Sequence, residues 1–173
     1  MKTDFRVRRG ARTKTGRALL AMVVTVAAFV LPTAVAGPAY AARSAAEFTS
    51  WVNNNNGSCV GGAANCVLLV NTYGTWAGAA AITGVNAGGF YSAAPNFSGW
   101  SRWALGAHTP TRGDVVVFGS SYGGGAGHVA VILENVDANN FRVYHQNWPE
   151  GTCSTKTTVA RSGIVGYIRP PVA

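Results

Sequence analysis

The segment GDVVVFGSSYGGGAGHVAVILE, residues 113–134, contains two short apolar runs separated by a glycine-rich loop. Such runs predict strands, because β-branched and aromatic residues favour extended backbone. Four runs of this kind are present: Asp114 to Phe118, His128 to Glu134, Phe141 to Asn147 and Ile164 to Ile168. The links are short, and 136–140 has the length and polarity of a hairpin connection, so the sheet should be antiparallel.

Upstream of these strands, apolar residues recur at helical spacing. Ser44 is a suitable N-cap for a first short helix, and Asn65 is the N-cap of a second helix predicted from Cys66 to about Ala77. The segment from Thr83 to Thr111 is predicted to be mostly loop, with one short helix near Trp100 to Leu105. Helices first and strands afterwards predict an α+β domain, with N-terminal helices packed on an antiparallel sheet.

The first 41 residues are expected to be a secretory signal peptide. Seven basic residues precede an apolar run from Ala18 to Leu31, and Ala39, Tyr40 and Ala41 form a small-x-small processing site. The run is shorter than the roughly 20 apolar residues of a membrane span. We therefore expect export by the general secretory route and cleavage after Ala41. The processed protein should not insert stably in a membrane; an uncleaved anchor is the alternative.

Net charge is concentrated in this leader. The chain has 14 Lys and Arg against 6 Asp and Glu, a net charge of +8. The leader contains seven of the basic residues and one of the acidic residues, so residues 42–173 have seven basic against five acidic residues, a net charge of +2. The basic balance is therefore no argument for a nucleic-acid partner. Residues 42–173 are expected to form one monomeric domain that acts outside the cell, at the wall.

One cysteine is predicted at the start of a capped helix. Only a thiolate is a good nucleophile, and the free N–H groups and dipole of a helix N-terminus stabilise an anion. Cys66 is therefore the predicted nucleophile, and its backbone N–H with the Asn65 side chain is the predicted oxyanion hole. His128, which opens a strand after the glycine-rich loop, is the predicted base. Asn147, at the end of the next strand, is predicted to orient its imidazole.

Four segments in order resemble motifs of the CHAP family of cysteine, histidine-dependent amidohydrolases/peptidases: NCV at 65–67, PTRGDVVVF at 110–118, GHVAVI at 127–132 and QNW at 146–148. The resemblance implies a papain-like (NlpC/P60-like) fold. It also implies cleavage of peptidoglycan without a cofactor, at the muramoyl-alanine amide or within the stem or cross-bridge peptide. It assigns the nucleophile to Cys66, the base to His128 and the polar orienter to Asn147.

The chain departs from the family pattern at two places. Many members have an acidic residue two positions before the Asn, where this chain has His145, so it departs from a carboxylate-assisted triad. Some members bind calcium through acidic residues upstream of the nucleophile, but 53–58 reads NNNNGS and contains no carboxylate, so no metal site is expected. Trp148 and His145 are assigned to the substrate groove, and a supporting or purely structural role for His145 stays open.

Three cysteines are an odd number for an exported protein. The preferred disulfide joins Cys59 to Cys153, since both lie in polar, loop-like segments; a bond between Cys59 and Cys66 is the alternative and would abolish a thiol mechanism. A zinc site formed by His128, His145 and Cys153 is disfavoured, because their spacing matches no common zinc pattern.

Two other functions are compatible with these residues. The missing acid motivates a catalytically inactive wall-binding or inhibitory protein on the same scaffold, which would bind walls without releasing amino groups. A secreted amidase toxin would use the same chemistry against a different biological target.

Overall fold

The computed structural model describes residues 42–172. The signal peptide predicted for residues 1–41 lies outside the described residues. Within the described range, no helix combines the length and the apolar character that crossing a membrane requires.

Three α-helices and six strands make up this range, with short 3₁₀ turns between them. The helices are α1 (Ala45–Asn55), α2 (Cys66–Trp76) and α3 (Phe90–Ala93). The strands are β1 (Ser101–Ala104), β2 (Val115–Phe118), β3 (His128–Asn135), β4 (Asn140–His145), β5 (Thr155–Ala160) and β6 (Ile164–Arg169).

Both long helices begin where side chains satisfy the first free N–H groups. Ser44 accepts a hydrogen bond from the Glu47 backbone, and the Glu47 carboxylate accepts one from Ser44, which completes a capping box. Asn65 Oδ1 accepts from the Val67 backbone N–H at 2.8 Å. A cap of this kind contributes about 1 kcal/mol. The predicted starts of both helices are confirmed, and Cys66 is the first residue of α2.

All six strands form one sheet in the order β1-β6-β2-β3-β4-β5. Every neighbouring pair is antiparallel, and the connection between β3 and β4 is a hairpin closed by a bond from Val136 N to Asn140 O at 3.2 Å. The four predicted strands are present within a few residues of the expected bounds. The predicted α+β class, with N-terminal helices and an antiparallel sheet, is therefore confirmed.

Two strands differ from the sequence-based expectation. The short helix expected near Trp100 to Leu105 is wrong, because Ser101–Ala104 is strand β1, and strand β5 was not predicted. Both are the outermost strands of the sheet and pair with one neighbour each. Edge strands bury little, so their residues lack the apolar pattern that identifies inner strands.

The sheet is buried on both faces. One face packs against α1 and α2 through alternate strand residues: Val115, Val117, Val129, Val131, Tyr144 and Ile168. The other face forms a second apolar cluster that includes Val116, Phe118, Ala130, Ile132, Phe141 and Tyr167. Phe141 on β4 and Tyr167 on β6 have ring centroids 6.1 Å apart although β2 and β3 lie between their strands. The sheet is therefore strongly curled around this second cluster.

Asp114 anchors the end of β2 that lies away from Phe118. Its buried carboxylate accepts from the Thr111 backbone N–H at 2.8 Å and contacts His108 at 2.9 Å and Arg169 at 2.5 Å. These bonds join the turn before β2 to β6. Asp114 thus stabilises the turn before β2.

Candidate active site

Cys66 lies in the first turn of α2, almost buried, and is the free cysteine of the described residues. Burial raises the pKa of the Cys66 thiol above its ordinary value of 9.0, although backbone N–H groups of Val129 and Val67 donate to the sulfur and oppose that shift. The helix start alone therefore does not produce a thiolate here. A thiolate at Cys66 would require a base.

His128 is held at the start of β3 by a close approach of two backbone segments. A side chain at the preceding residue, Gly127, would place its Cβ 2.5 Å from Gly88 N and 2.7 Å from Phe118 O, and the φ of Gly127 is +79°. Only glycine fits there. Gly88 N also donates to Ala126 O at 2.9 Å, so the glycine-rich loop is fixed against the turn at 87–89.

A chain of hydrogen bonds runs from His128 into the sheet. His128 Nε2 lies 3.0 Å from His145 Nδ1, and His145 Nε2 lies 2.7 Å from Thr157 Oγ1. Both rings are about 2 % exposed. Burial lowers the pKa of His128, with a smaller contribution from the His145 charge, and burial also lowers the pKa of His145. Both rings are therefore neutral at pH 7, and the His128 nitrogen not bonded to His145 is Nδ1.

This buried pair should make the protein acid-sensitive. Between pH 6.5 and 4.5 the unfolded chain protonates both histidines while the folded rings stay neutral, so the unfolded state binds more protons. The free energy of unfolding should then fall by up to about 1.4 kcal/mol per pH unit for each ring as the pH drops. Urea unfolding at steps across this range measures the slope. His145→Gln should reduce it by about half; an unchanged slope in that variant would contradict the assignment.

Among the hydrogen bonds of the described residues, none joins Asn147 to the His128 ring, which it was predicted to orient. Strand β4 ends at His145, and Asn147 adopts a left-handed backbone with φ +63°. Its Oδ1 accepts from Gly151 N at 2.8 Å. The alternation that would have placed Asn147 beside His145 stops where the strand stops. His145 therefore occupies the partner position predicted for Asn147, while Asn147 shapes the following loop and lines the cavity beside Cys66.

Gln146 is a site residue that the sequence-based interpretation missed. Its side chain is fully buried and bonds to the segment before α2. Gln146 Oε1 accepts from Val60 N at 3.0 Å, and Nε2 donates to Val60 O at 2.9 Å, Ala63 O at 3.0 Å and Asn65 O at 2.5 Å. The end of β4 is thus tied to the residue that caps the Cys66 helix. The QNW motif contained the residue, but no local pattern indicates partners some 80 positions away.

Cys66 and His128 line one cavity of about 280 Å³, together with Asn65, Asn147 and the turn at 85–87. No hydrogen bond joins the thiol to the ring among the contacts of the described residues. A second cavity of about 450 Å³ shares His128 and Asn147 with the first and extends to Trp148 and Glu150. The two adjoining cavities form an open groove along the proposed reacting residues.

The two predicted groove residues differ in position. Trp148 is 36 % exposed and lines the groove, with its ring centroid 5.1 Å from that of His128. His145 is 2 % exposed and lies beneath His128, so its main contacts are with His128 and Thr157 and not with the groove surface. The supporting role left open for His145 fits this position better than the substrate contact.

Cys59 and Cys153 form a disulfide, with Cα atoms 4.4 Å apart across 94 positions of sequence. The bond leaves the Cys66 thiol free and removes Cys153 as a zinc ligand. Across residues 42–172, no group of three or more His, Cys, Asp or Glu side chains is placed to hold a metal ion.

The structure therefore defines an α+β protein in which a helix beginning at a cysteine packs on an antiparallel sheet with a strand beginning at a histidine. The family model of the CHAP domain matches residues 39–147. This chain belongs to the CHAP domain family.

Individual proteins are similar to only part of this chain. Over 39 residues the chain is 51% identical to a probable autolysin PH of Staphylococcus aureus (strain NCTC 8325 / PS 47), which is 22% of this chain and 8% of that protein. The crystal structure of the endolysin LysIME-EF1 has a TM-score of 0.62 at 23% identity, over 75% of this chain and 65% of that one. Ly7917, crystallised with the hydrolyzing product of MDP, has a TM-score of 0.52 at 22% identity, over 69% and 60%.

These structural likenesses show the fold. This chain spans less than two thirds of the length of each of these proteins.

Proposed function

We propose that this chain hydrolyses amide bonds of peptidoglycan, with Cys66 as nucleophile and His128 as base. The observation that supports it most is the shared cavity: the cysteine at the start of α2 and the histidine at the start of β3 line it together, in a chain of the CHAP family. The names autolysin and endolysin, carried by similar proteins, agree with this substrate. Residues 1–41 are the proposed signal peptide and residues 42–173 the exported, monomeric catalytic domain.

The reaction begins with Cys66 as a neutral thiol and His128 as a neutral imidazole. Burial keeps the proton on the Cys66 sulfur and off the His128 ring, so proton transfer accompanies attack of the sulfur on the amide carbonyl. His128 Nδ1 accepts this proton. The ring becomes positive, and His145 Nδ1 stabilises it by accepting the His128 Nε2–H bond. His145 therefore does as a neutral acceptor what a carboxylate does in many thiol hydrolases.

The tetrahedral intermediate needs donors for its oxyanion. Asn65 Oδ1 is occupied by the Val67 N–H, which leaves the Asn65 amide N–H groups and the Cys66 backbone N–H as the proposed donors. His128 then protonates the leaving amine, and an acyl-enzyme forms on Cys66. Water activated by the neutral His128 releases the product and regenerates the thiol.

The open groove suits a polymeric substrate. It adjoins Cys66 at one side and reaches the partly exposed Trp148 at the other. An aromatic ring beside the reacting residues provides an apolar surface for a peptide or a sugar face. The inactive wall-binding alternative was motivated by the missing acid, and His145 fills that position by contacting His128. The geometry therefore favours the enzyme.

Digestion of purified walls tests the proposal. We expect the protein to release new amino groups without new reducing sugar ends, because an amide and not a glycosidic bond is cut. Mass spectrometry of the products would identify the amide: release of whole stem peptides from glycan indicates a muramoyl-alanine amidase, and cut stems or cross-bridges indicate an endopeptidase. Binding to walls with no release of amino groups would instead support the inactive scaffold.

A further inference from the structure

We propose that Thr157 is a positioning residue that holds His145 in the one tautomer compatible with His128 acting as a base. The proposal rests on the proposed thiol mechanism, since it concerns which nitrogen of His128 carries the proton. It adds a residue of the edge strand β5 that touches neither Cys66 nor the groove between Cys66 and Trp148.

Thr157 reaches His145 across a strand pair. In the β4–β5 ladder it lies opposite Val143, two positions from the partner of His145 and on the same face. Its Oγ1 is 2.7 Å from His145 Nε2, and the other His145 nitrogen is 3.0 Å from His128 Nε2. Each nitrogen of the buried His145 ring therefore has one partner.

The two neutral tautomers of His145 have opposite consequences. With the proton on Nε2, His145 donates to Thr157, its Nδ1 accepts from His128 Nε2–H, and His128 Nδ1 is left unprotonated and able to take the thiol proton. With the proton on Nδ1, His145 donates to His128 Nε2, which places the His128 proton on Nδ1. That nitrogen then cannot accept the proton of Cys66.

In this proposal the Thr157 hydroxyl acts as the acceptor of the contact, because a hydroxyl can accept as well as donate. It accepts the buried Nε2–H, which would otherwise lack a partner at a cost typical of buried unsatisfied donors. Its own proton is free to face the cavity of about 380 Å³ that Thr157 lines with Tyr122 and Trp148. That freedom lets the hydroxyl serve as an acceptor for His145.

Other charged and polar groups near His128 and His145 do not replace the Thr157 hydroxyl as the partner of His145. Among the described residues Glu150 lines the adjoining cavity and forms no hydrogen bond with either ring. Lys156 donates to Asn53 at 2.7 Å, and the Tyr122 hydroxyl contacts Ser162 at 3.1 Å. Among the hydrogen bonds of the described residues, Thr157 is the partner of His145 Nε2.

The test compares three single substitutions. Thr157→Val keeps the shape of the side chain and removes the hydroxyl, Thr157→Ser keeps the hydroxyl, and Thr158→Val makes the same chemical change at the exposed neighbouring position. Long-range ¹H–¹⁵N NMR of the ring nitrogens identifies the tautomers. The rate of Cys66 alkylation by iodoacetamide at neutral pH measures how easily the thiol loses its proton. The release of amino groups from walls measures turnover.

Wild type, Thr157→Ser and Thr158→Val should show His145 protonated on Nε2 and equal alkylation rates. Thr157→Val should populate the Nδ1 tautomer, and kcat and the alkylation rate should fall about 10-fold or more with KM unchanged, because a general base contributes roughly 10²–10⁴-fold. A wild-type His145 protonated on Nδ1, or a Thr157→Val protein with the wild-type tautomer and alkylation rate, would overturn the proposal. If the tautomers are as expected but no variant, including wild type, hydrolyses walls, the proposed function fails while the role of Thr157 in setting the tautomer stands.

Discussion

Replacing Cys66 by alanine is expected to lower the release of amino groups from peptidoglycan by at least about 10⁴-fold, to the background of the assay. Removing the nucleophile of a hydrolase leaves only binding and oxyanion stabilisation, and single losses of this kind cost up to about 10⁶-fold. The fold should survive, because alanine is favoured in a helix and the Asn65 cap and the Gln146 bonds do not involve the sulfur.

Two controls separate chemistry from folding. Cys66→Ser keeps the size of the side chain and should be almost as inactive as Cys66→Ala. The free energy of unfolding of both variants should lie within about 1 kcal/mol of the wild-type value. A thiol count on the unreduced, denatured domain should give one thiol in wild type and none in either variant, since Cys59 and Cys153 are bonded to each other. Substantial wall hydrolysis by a folded Cys66→Ala protein would exclude Cys66 as the nucleophile.

The substitution Gln146→Leu is expected to destabilise the domain by about 3 kcal/mol or more. Leucine has a similar volume but leaves Val60 N and the carbonyls of Val60, Ala63 and Asn65 without their bonds to Gln146. Each buried backbone group left unsatisfied costs about 1–3 kcal/mol, part of which rearrangement recovers. Urea unfolding measures the difference.

A matched surface change provides the reference. Asn54→Leu replaces an exposed amide on α1 and should alter the free energy of unfolding by no more than about 0.5 kcal/mol. Because Gln146 holds the residue that caps α2, its loss should also lower activity in the protein that remains folded. A loss of stability below 1 kcal/mol in Gln146→Leu would mean that these bonds contribute little.

Inner strands and capped helices could be predicted from sequence, but edge strands could not. The run Val115 to Phe118 is buried on both faces and is apolar throughout, so its conformation is evident from composition. Strand β5 reads TKTTVA and is largely polar. Its hydrogen bonds come from β4, and a single sequence carries no record of which segment will pair with it.

The same distinction applies within the candidate site. Asn65 Oδ1 caps α2 by accepting from the backbone N–H only two residues further on, and the local backbone requires glycine before His128. Local chemistry in the sequence by itself therefore determined where the thiol and the proposed base lie on their elements. The partner of His128 depended on where β4 ends. Because the chain turns into a left-handed conformation at Asn147, His145 is the residue that remains in the strand beside His128.

Sequence alone thus determined the class of fold and the two residues proposed to react, because caps, glycines and apolar periodicity act over a few neighbouring positions. Only the tertiary structure decided what supports them: Thr157 behind His145, and Gln146 against the segment before Cys66. Those contacts join positions 12 and 81 residues apart. Hydrogen bonds over such separations form only after the curled sheet and the helices have packed together.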